Sequence, residues 1–246
     1  MQMHALPGTT GRRRIYLMRH GHVDYFSEEV ARTGSLREVP LTQLGRDEAT
    51  ASGKALAHVA FDIVLSSGLP RTRETLAHVI AENEGREKFQ PAVDPRLEEI
   101  HGGRVIGARH RREIATAMTF QFEKAHEEGA TMFEGGEAFA DALARSREAI
   151  EDLLHRPAWH TALVVAHEGT NRLLLGWMTG GNLAAIRAFE QDTACINILD
   201  FDLVPRADGN GVEIERKMIK ALNLTPYNYA KAGMNLTSLE RIFEKL

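Results

Sequence analysis

The chain has 246 residues, 43% hydrophobic and 26% charged, with a formal net charge of −4 and one cysteine, Cys195. This balance supports a buried core and excludes a disordered chain, an internal disulfide and a broadly basic nucleic-acid surface, so any anion site must be built from local arginines. No apolar run reaches the roughly 20 residues of a membrane-spanning helix, and the polar stretch 1–13 contains no signal-type apolar core, so a cytoplasmic protein with no membrane partner is expected.

Residues 1–13 read as a flexible tail. The apolar run 14–18 (Arg14-Ile15-Tyr16-Leu17-Met18) reads as a buried strand that breaks at Arg19-His20-Gly21. Residues 20–40 read as a long loop. Thr42 is placed as an N-cap, followed by Leu44, Ala49, Ala51, Leu56 and Val59 at roughly helical spacing. Residues 61–65 form a second apolar strand ending in Ser66-Ser67-Gly68-Leu69-Pro70-Arg71, where Pro70 suits a first helical position. A short strand is expected at 92–94 and a glycine-broken loop at 97–109, with Gly102, Gly103 and Gly107. Helices are expected at 113–128 and 137–155. The run 161–166 is a buried strand that breaks at His167-Glu168-Gly169, before a helix over 171–178. Residues 194–203 and 212–221 read as a hairpin with Asp208-Gly209-Asn210-Gly211 at its turn. The tail 223–246 ends in a short helix at 236–246. Cys195 reads as a small core hydrophobe.

Strands alternating with helices predict an α/β fold, a three-layer α/β/α sandwich around a mostly parallel sheet. Parallel strands bring their carboxyl ends to one edge, where open α/β sheets bind ligands. Arg19-His20, Arg71 and His167 all follow strand ends, so they are expected to converge there. Arg19 offers a fork of donors for phosphate or carboxylate; His20 suits a nucleophile, an acid or base, or a metal ligand. Taken singly, each has an ordinary reading: a solvated arginine, a hydrogen-bonded structural histidine, surface glutamates at Glu98 and Glu99.

Four segments, in order, resemble the histidine phosphatase superfamily, also called phosphoglycerate mutase-like. They are Leu17-Met18-Arg19-His20-Gly21, Ser66 to Thr75, Leu97-Glu98-Glu99-Ile100 before a glycine-rich loop, and Val164-Val165-Ala166-His167-Glu168-Gly169. In the second, Thr72 stands where the family usually has Ala and Glu74 where it has Gln. A weaker fifth match is Gly135-Gly136-Glu137-Ala138, with Ala for the family's Ser. The resemblance spans residues 14 to about 201. It implies a domain over 14–222 with a small substrate cap inserted at about 100–136. It also implies a metal-independent phosphatase acting through phosphohistidine, with no cofactor and a small phosphorylated metabolite as substrate. His20 resembles the nucleophile, Glu99 the general acid, and Arg19, His20, Arg71 and His167 the phosphate pocket.

The departures bear on substrate. After Gly21 the chain reads His22-Val23-Asp24-Tyr25, without the acidic residue, Ser or Thr, and Asn that mutases of the superfamily carry, so a phosphomutase is the second reading. The family's Trp-Glu-Gly after the acid is replaced by Val105-Ile106-Gly107. Arg109, Arg111 and Arg112 fall in the cap and are left out of the site as a solvated helix face. Two further readings compete. His20-Gly21-His22-Val23-Asp24 has a spacing that suits a metallohydrolase, and the same pocket without turnover would be a phosphate-binding regulatory protein. A homodimer through the hairpin edge or the tail is compatible with the sequence, which marks no interface.

Overall fold

The computed structural model describes residues 11–25, 27–33, 36–103, 113, 116–117, 119–208 and 210–233. Among them, strands β1 (Gly11–Arg19), β2 (Ile63–Ser66), β3 (Ala92–Val93), β4 (Thr161–Ala166), β5 (Ile196–Pro205) and β6 (Val212–Leu224) form one sheet in the order β3-β2-β4-β1-β5-β6. The first four in that order run parallel; β5 is antiparallel to β1, and β6 to β5. The helices are α1 (Glu28–Thr33), α2 (Gln43–Ala55), α3 (Pro70–Ala81), α4 (Phe139–His155) and α5 (Glu168–Thr179).

The apolar runs are continuous because both sheet faces are covered. Ile15 and Leu17 of β1 turn toward α4 and α5, where Ile150, Leu154 and Leu174 are buried with them. Tyr16 and Met18 turn the other way, toward Leu76 and Val79 of α3. This is the three-layer α/β/α architecture read from the sequence. Local signals also act as expected. The Thr42 hydroxyl accepts from Gly45 N–H at 3.2 Å and caps α2, and Pro70 opens α3. Gly180, at φ +77°, closes α5 in the left-handed conformation. Cys195 is fully buried, and burial pushes its thiol up to about 12.

Several boundaries differ from the sequence reading. β1 begins at Gly11, inside the expected tail, because Arg12 and Arg14 pair across the sheet with Asp202 (2.8 Å) and Asp200 (2.7 Å) of β5. Arg13, on the opposite face, lies over the Trp159 ring at 5.5 Å. The expected loop 20–40 contains α1, whose Val30 packs against Val23, Val39 and Leu41. β6 continues to Leu224, and Asn223 exchanges hydrogen bonds with Asp192 and receives none of the freedom of a tail. Of the helix expected at 113–128, the described residues 113, 116, 117 and 119 are helical, but residues 120–128 are not. They close a run of three-residue turns, with Glu123 N–H donating to the Phe120 carbonyl and Ala125 N–H to that of Phe122. These turns bury Phe122 and Ala125 against Phe139 and Leu173, above the carboxyl edge of the sheet. The expected helix at 236–246 and Arg109, Arg111 and Arg112 of the expected cap lie outside the described residues.

Candidate active site

The register of the sheet sets the site. β4 lies between β1 and β2, with Arg19 opposite Ala166 and Ser66 opposite Val165. The next residues of the three strands, His20, His167 and Ser67, therefore leave the sheet side by side. The His20 and His167 rings stand 5.2 Å apart, edge to face. Arg71, in the first turn of α3, joins them. The result is a cleft of about 390 Å³ lined by Arg19, His20, Arg71, Glu99 and Glu168, with Tyr25 on its wall. Of the five residues singled out in the sequence, Arg19, His20, Arg71 and His167 are buried at this edge and Glu99 is half-buried.

His20 is placed by glycine. Gly21 passes so close to α2 that a Cβ there would sit 2.3 Å from the Gly45 carbonyl oxygen, and a Cβ on Gly45 would meet the His22 carbonyl at 2.2 Å. Gly21 N–H donates to Thr75 Oγ1 at 2.9 Å. His20 Nδ1 lies 2.8 Å from the Gly21 carbonyl. That carbonyl only accepts, so Nδ1 carries the proton and Nε2 keeps its lone pair. Burial, then Arg71 and Arg19, hold the imidazole well below its usual pKa of 6.5, and it is neutral near pH 7. His167 is likewise held well below 6.5, by burial, Arg71 and His20.

The two arginines are anchored but not saturated. Arg19 donates from Nη1 to the Gln191 carbonyl and from Nη2 to Glu168 at 3.0 Å. Arg71 donates from Nη1 to the Leu36 and Arg37 carbonyls, both at 3.2 Å, and lies over the Tyr25 ring at 5.9 Å. The Nε–H of each is buried without a partner among the described residues. A buried unpaired guanidinium donor is costly unless an anion completes it.

Glu99 is the cleft carboxyl. It accepts from Ile100 N–H at 3.0 Å and from Gly169 and Thr170 N–H at the start of α5, each at 3.2 Å. Burial raises its pKa above the usual 4.5, with Glu168 acting in the same sense against the backbone donors. Arg145 of α4 fixes the segment, donating to the carbonyls of Arg96, Glu98 and Glu99 while bound to Glu137. Glu98 turns away to Arg37 at 2.7 Å.

The competing metal motif does not assemble. His22 points from the cleft, with Nδ1 at 2.8 Å from Thr42 Oγ1. Among the described residues, no group of three or more His, Cys, Asp or Glu side chains stands where it could hold a metal ion. Sequence reasoning missed Glu168, Tyr25 and Gln191. Glu168 stood in a quoted motif beside His167; Tyr25 and Gln191 lie in irregular segments with no periodicity to mark them.

Comparison with known proteins agrees with this geometry. The family model of the histidine phosphatase superfamily (branch 1) matches residues 15–204. A glucosyl-3-phosphoglycerate phosphatase of Mycobacterium tuberculosis is 32% identical over 166 residues, 64% of this chain and 71% of that protein. A probable 2-carboxy-D-arabinitol-1-phosphatase of Arabidopsis thaliana is 28% identical over 90% of this chain, which spans only 44% of the plant protein's length. Among solved structures, one titled mycobacterial hydrolase 1 superposes with a TM-score of 0.68 at 26% identity, covering 87% of this chain and 99% of that one. With the match extending over both histidine motifs and the strands that carry them, the chain belongs to the histidine phosphatase superfamily.

Proposed function

We propose that this protein is a metal-independent phosphomonoesterase that transfers the phosphoryl group of a small phosphorylated metabolite first to His20 and then to water. One observation carries the reading: a neutral His20 with its Nε2 lone pair free stands in a cleft beside two buried arginines whose Nε–H groups lack partners. A phosphomonoester brings close to two negative charges, and its transfer requires an in-line nucleophile with charge neutralisation around the equatorial oxygens. Arg19, Arg71 and His167 supply the second requirement.

In the first step His20 Nε2 forms a bond to phosphorus as the ester P–O bond breaks, and Glu99 gives its proton to the departing oxygen. In the second, Glu99 takes a proton from water. The water oxygen bonds to phosphorus, the P–N bond breaks, and neutral His20 returns with inorganic phosphate. A carboxyl with a raised pKa suits this alternation.

The wall of the cleft supports a substrate with an apolar or ring-containing body: Leu36, Leu69, Ile100, Phe122, Met132 and Phe133 line it. Transfer to a second hydroxyl, as in a phosphomutase, calls for further cationic groups to hold a second anion. Beyond Arg19 and Arg71, the described lining carries one more arginine, Arg37, already paired with Glu98. No helix among the described residues is long and apolar enough to cross a membrane, and the buried free thiol of Cys195 fits a cytoplasmic setting.

The test is hydrolysis of p-nitrophenyl phosphate with EDTA present, by wild type and by His20→Ala. Turnover in the wild type and none in a folded His20→Ala is the expected result. Activity that survives the substitution would remove His20 as nucleophile, and wild-type activity that appears only with added metal would overturn the metal-independent mechanism.

A further inference from the structure

Behind His167 runs a chain of buried polar side chains. His167 Nε2 lies 2.8 Å from Ser67 Oγ, which lies 2.9 Å from Thr72 Oγ1, which lies 2.8 Å from the Leu69 carbonyl oxygen. Ser67, Thr72 and His167 are each at most 1% exposed. Proton positions follow from counting. The Leu69 carbonyl has no proton, so the Thr72 hydroxyl must donate to it. The Thr72 oxygen then accepts, and the Ser67 hydroxyl donates to Thr72. Ser67 has no second proton, so the Nε2 of His167 donates to Ser67. The other ring nitrogen, Nδ1, is buried and without a partner among the described residues.

With Nε2 committed, Nδ1 is the polar atom His167 has left to offer a phosphoryl oxygen. A bare lone pair there repels that oxygen. We infer that Thr72 is a positioning residue which, through Ser67, holds the His167 proton on Nε2, so that binding of a phosphoryl group takes up one proton at Nδ1. The inference rests on the phosphatase reading and deepens it. The proton lies between Nδ1 and a phosphoryl oxygen whichever atom is counted as its owner.

The surrounding charges agree with an empty pocket that stays unprotonated. Arg19 from β1, Arg71 from α3, Arg145 from α4 and the neighbouring His20 all disfavour an imidazolium, in addition to burial. The carboxyls of Glu99 and Glu168 and the phenol of Tyr25 line the adjoining cleft, together with His20, whose ring stands 5.2 Å from that of His167. A bound phosphoryl group adds the negative charge that reverses this balance at Nδ1. Without the Thr72 hydroxyl, Ser67 is free to turn its proton to His167 Nε2. The histidine proton then moves to Nδ1, ready to donate to a phosphate dianion without uptake.

Two measurements test this. The first is the tautomer of His167 in the ligand-free wild type, read from ¹⁵N NMR of the imidazoles with His167→Gln used for assignment; the proton is expected on Nε2. The second is calorimetry of inorganic phosphate binding at about pH 8 in buffers of different ionisation enthalpy, where free phosphate is mostly dianionic. Wild type and Thr72→Ser are expected to take up about one proton more per phosphate than Thr72→Val. A proton found on Nδ1 in the free wild type overturns the inference, as does equal uptake by wild type and a folded Thr72→Val. If Thr72→Val does not fold, the wild-type tautomer decides. A folded wild type with the Nε2 tautomer but no affinity for phosphate would overturn the phosphatase reading, and the proton uptake with it.

Discussion

Arg19 and Glu168 are joined at 3.0 Å inside the cleft, with the arginine almost wholly buried and the carboxylate also bound to Arg172 of α5. Glu168 therefore compensates a buried guanidinium in the empty enzyme and competes with a phosphoryl group for it once substrate arrives. Removing its charge while keeping its shape should favour the anion. Glu168→Gln is expected to tighten competitive inhibition by inorganic phosphate by about threefold to tenfold, or roughly 0.7–1.4 kcal/mol. Weaker inhibition in the variant would mean that Glu168 orients Arg19 toward the ligand instead of competing for it.

Glu99 offers a prediction with a pH signature. Burial raises its pKa and Glu168 adds to the effect. As a general acid it must be protonated, so turnover of an alkyl phosphate should decline as pH rises through its raised pKa. His20 must be neutral, and its strongly lowered pKa places the acidic limit well below 6.5. Glu99→Gln is expected to slow alkyl phosphate hydrolysis by about 10²- to 10⁴-fold. In the first step, read as the pre-steady-state burst, it should spare p-nitrophenyl phosphate far more, because that leaving group needs no proton, while the water step that Glu99 also serves slows alike for both esters. Equal losses in the burst on the two esters would assign the acid to another group. In Glu168→Gln, the alkaline limb should move to lower pH.

The strand-end motifs were legible because in each the reactive residues directly follow an apolar run, and a parallel sheet converts that adjacency into convergence. Arg19, His20, Arg71 and His167 could thus be brought to one edge from the sequence, whereas Glu99 follows no strand and was marked only by the family resemblance. The start of β1 was not legible, since Arg12 looks like a solvated tail residue until Asp202, 190 positions away, is set opposite it. Residues 120–128 misled for a different reason. Phe122 and Ala125 have helical spacing, but burial against Phe139 is met there by three-residue turns. Thr72 was visible as a departure from the motif, yet its consequence depends on a hydroxyl chain closed by a residue 95 positions later (72 to 167).

The contact of Gly21 with Gly45 makes a remote position critical for catalysis. A Cβ at Gly45 would fall 2.2 Å from the His22 carbonyl oxygen and 2.7 Å from its amide nitrogen, both backbone atoms that cannot rotate aside. The loop after His20 would have to move away from α2, taking the Gly21 carbonyl that fixes the His20 tautomer with it. Gly45→Ala should destabilise the fold by about 1–3 kcal/mol and reduce turnover more than phosphate affinity. Urea titration and steady-state kinetics check the two parts. Unchanged turnover would show that the loop can shift without displacing His20.

Two buried histidines held neutral also make folding stability depend on pH, with a definite sign. The folded-state pKa values of His20 and His167 lie well below 6.5, whereas in the unfolded chain both titrate near that value. Below about pH 6.5, the unfolded state therefore binds protons that the folded state refuses, and stability is lost as the pH falls. Each histidine contributes a slope of up to about 1.4 kcal/mol per pH unit, so the pair approaches about 3. Glu99 acts in the opposite sense: its raised pKa costs stability at neutral pH and relieves that cost on acidification. Urea unfolding between pH 7 and 5 should show falling stability in the wild type and about half that slope in His167→Gln. Saturating phosphate should flatten the wild-type slope further, because the bound anion allows His167 to accept the proton without unfolding. A wild-type stability that is level across this range would mean that the two imidazoles are not held neutral, and would remove the electrostatic basis for His20 as a nucleophile.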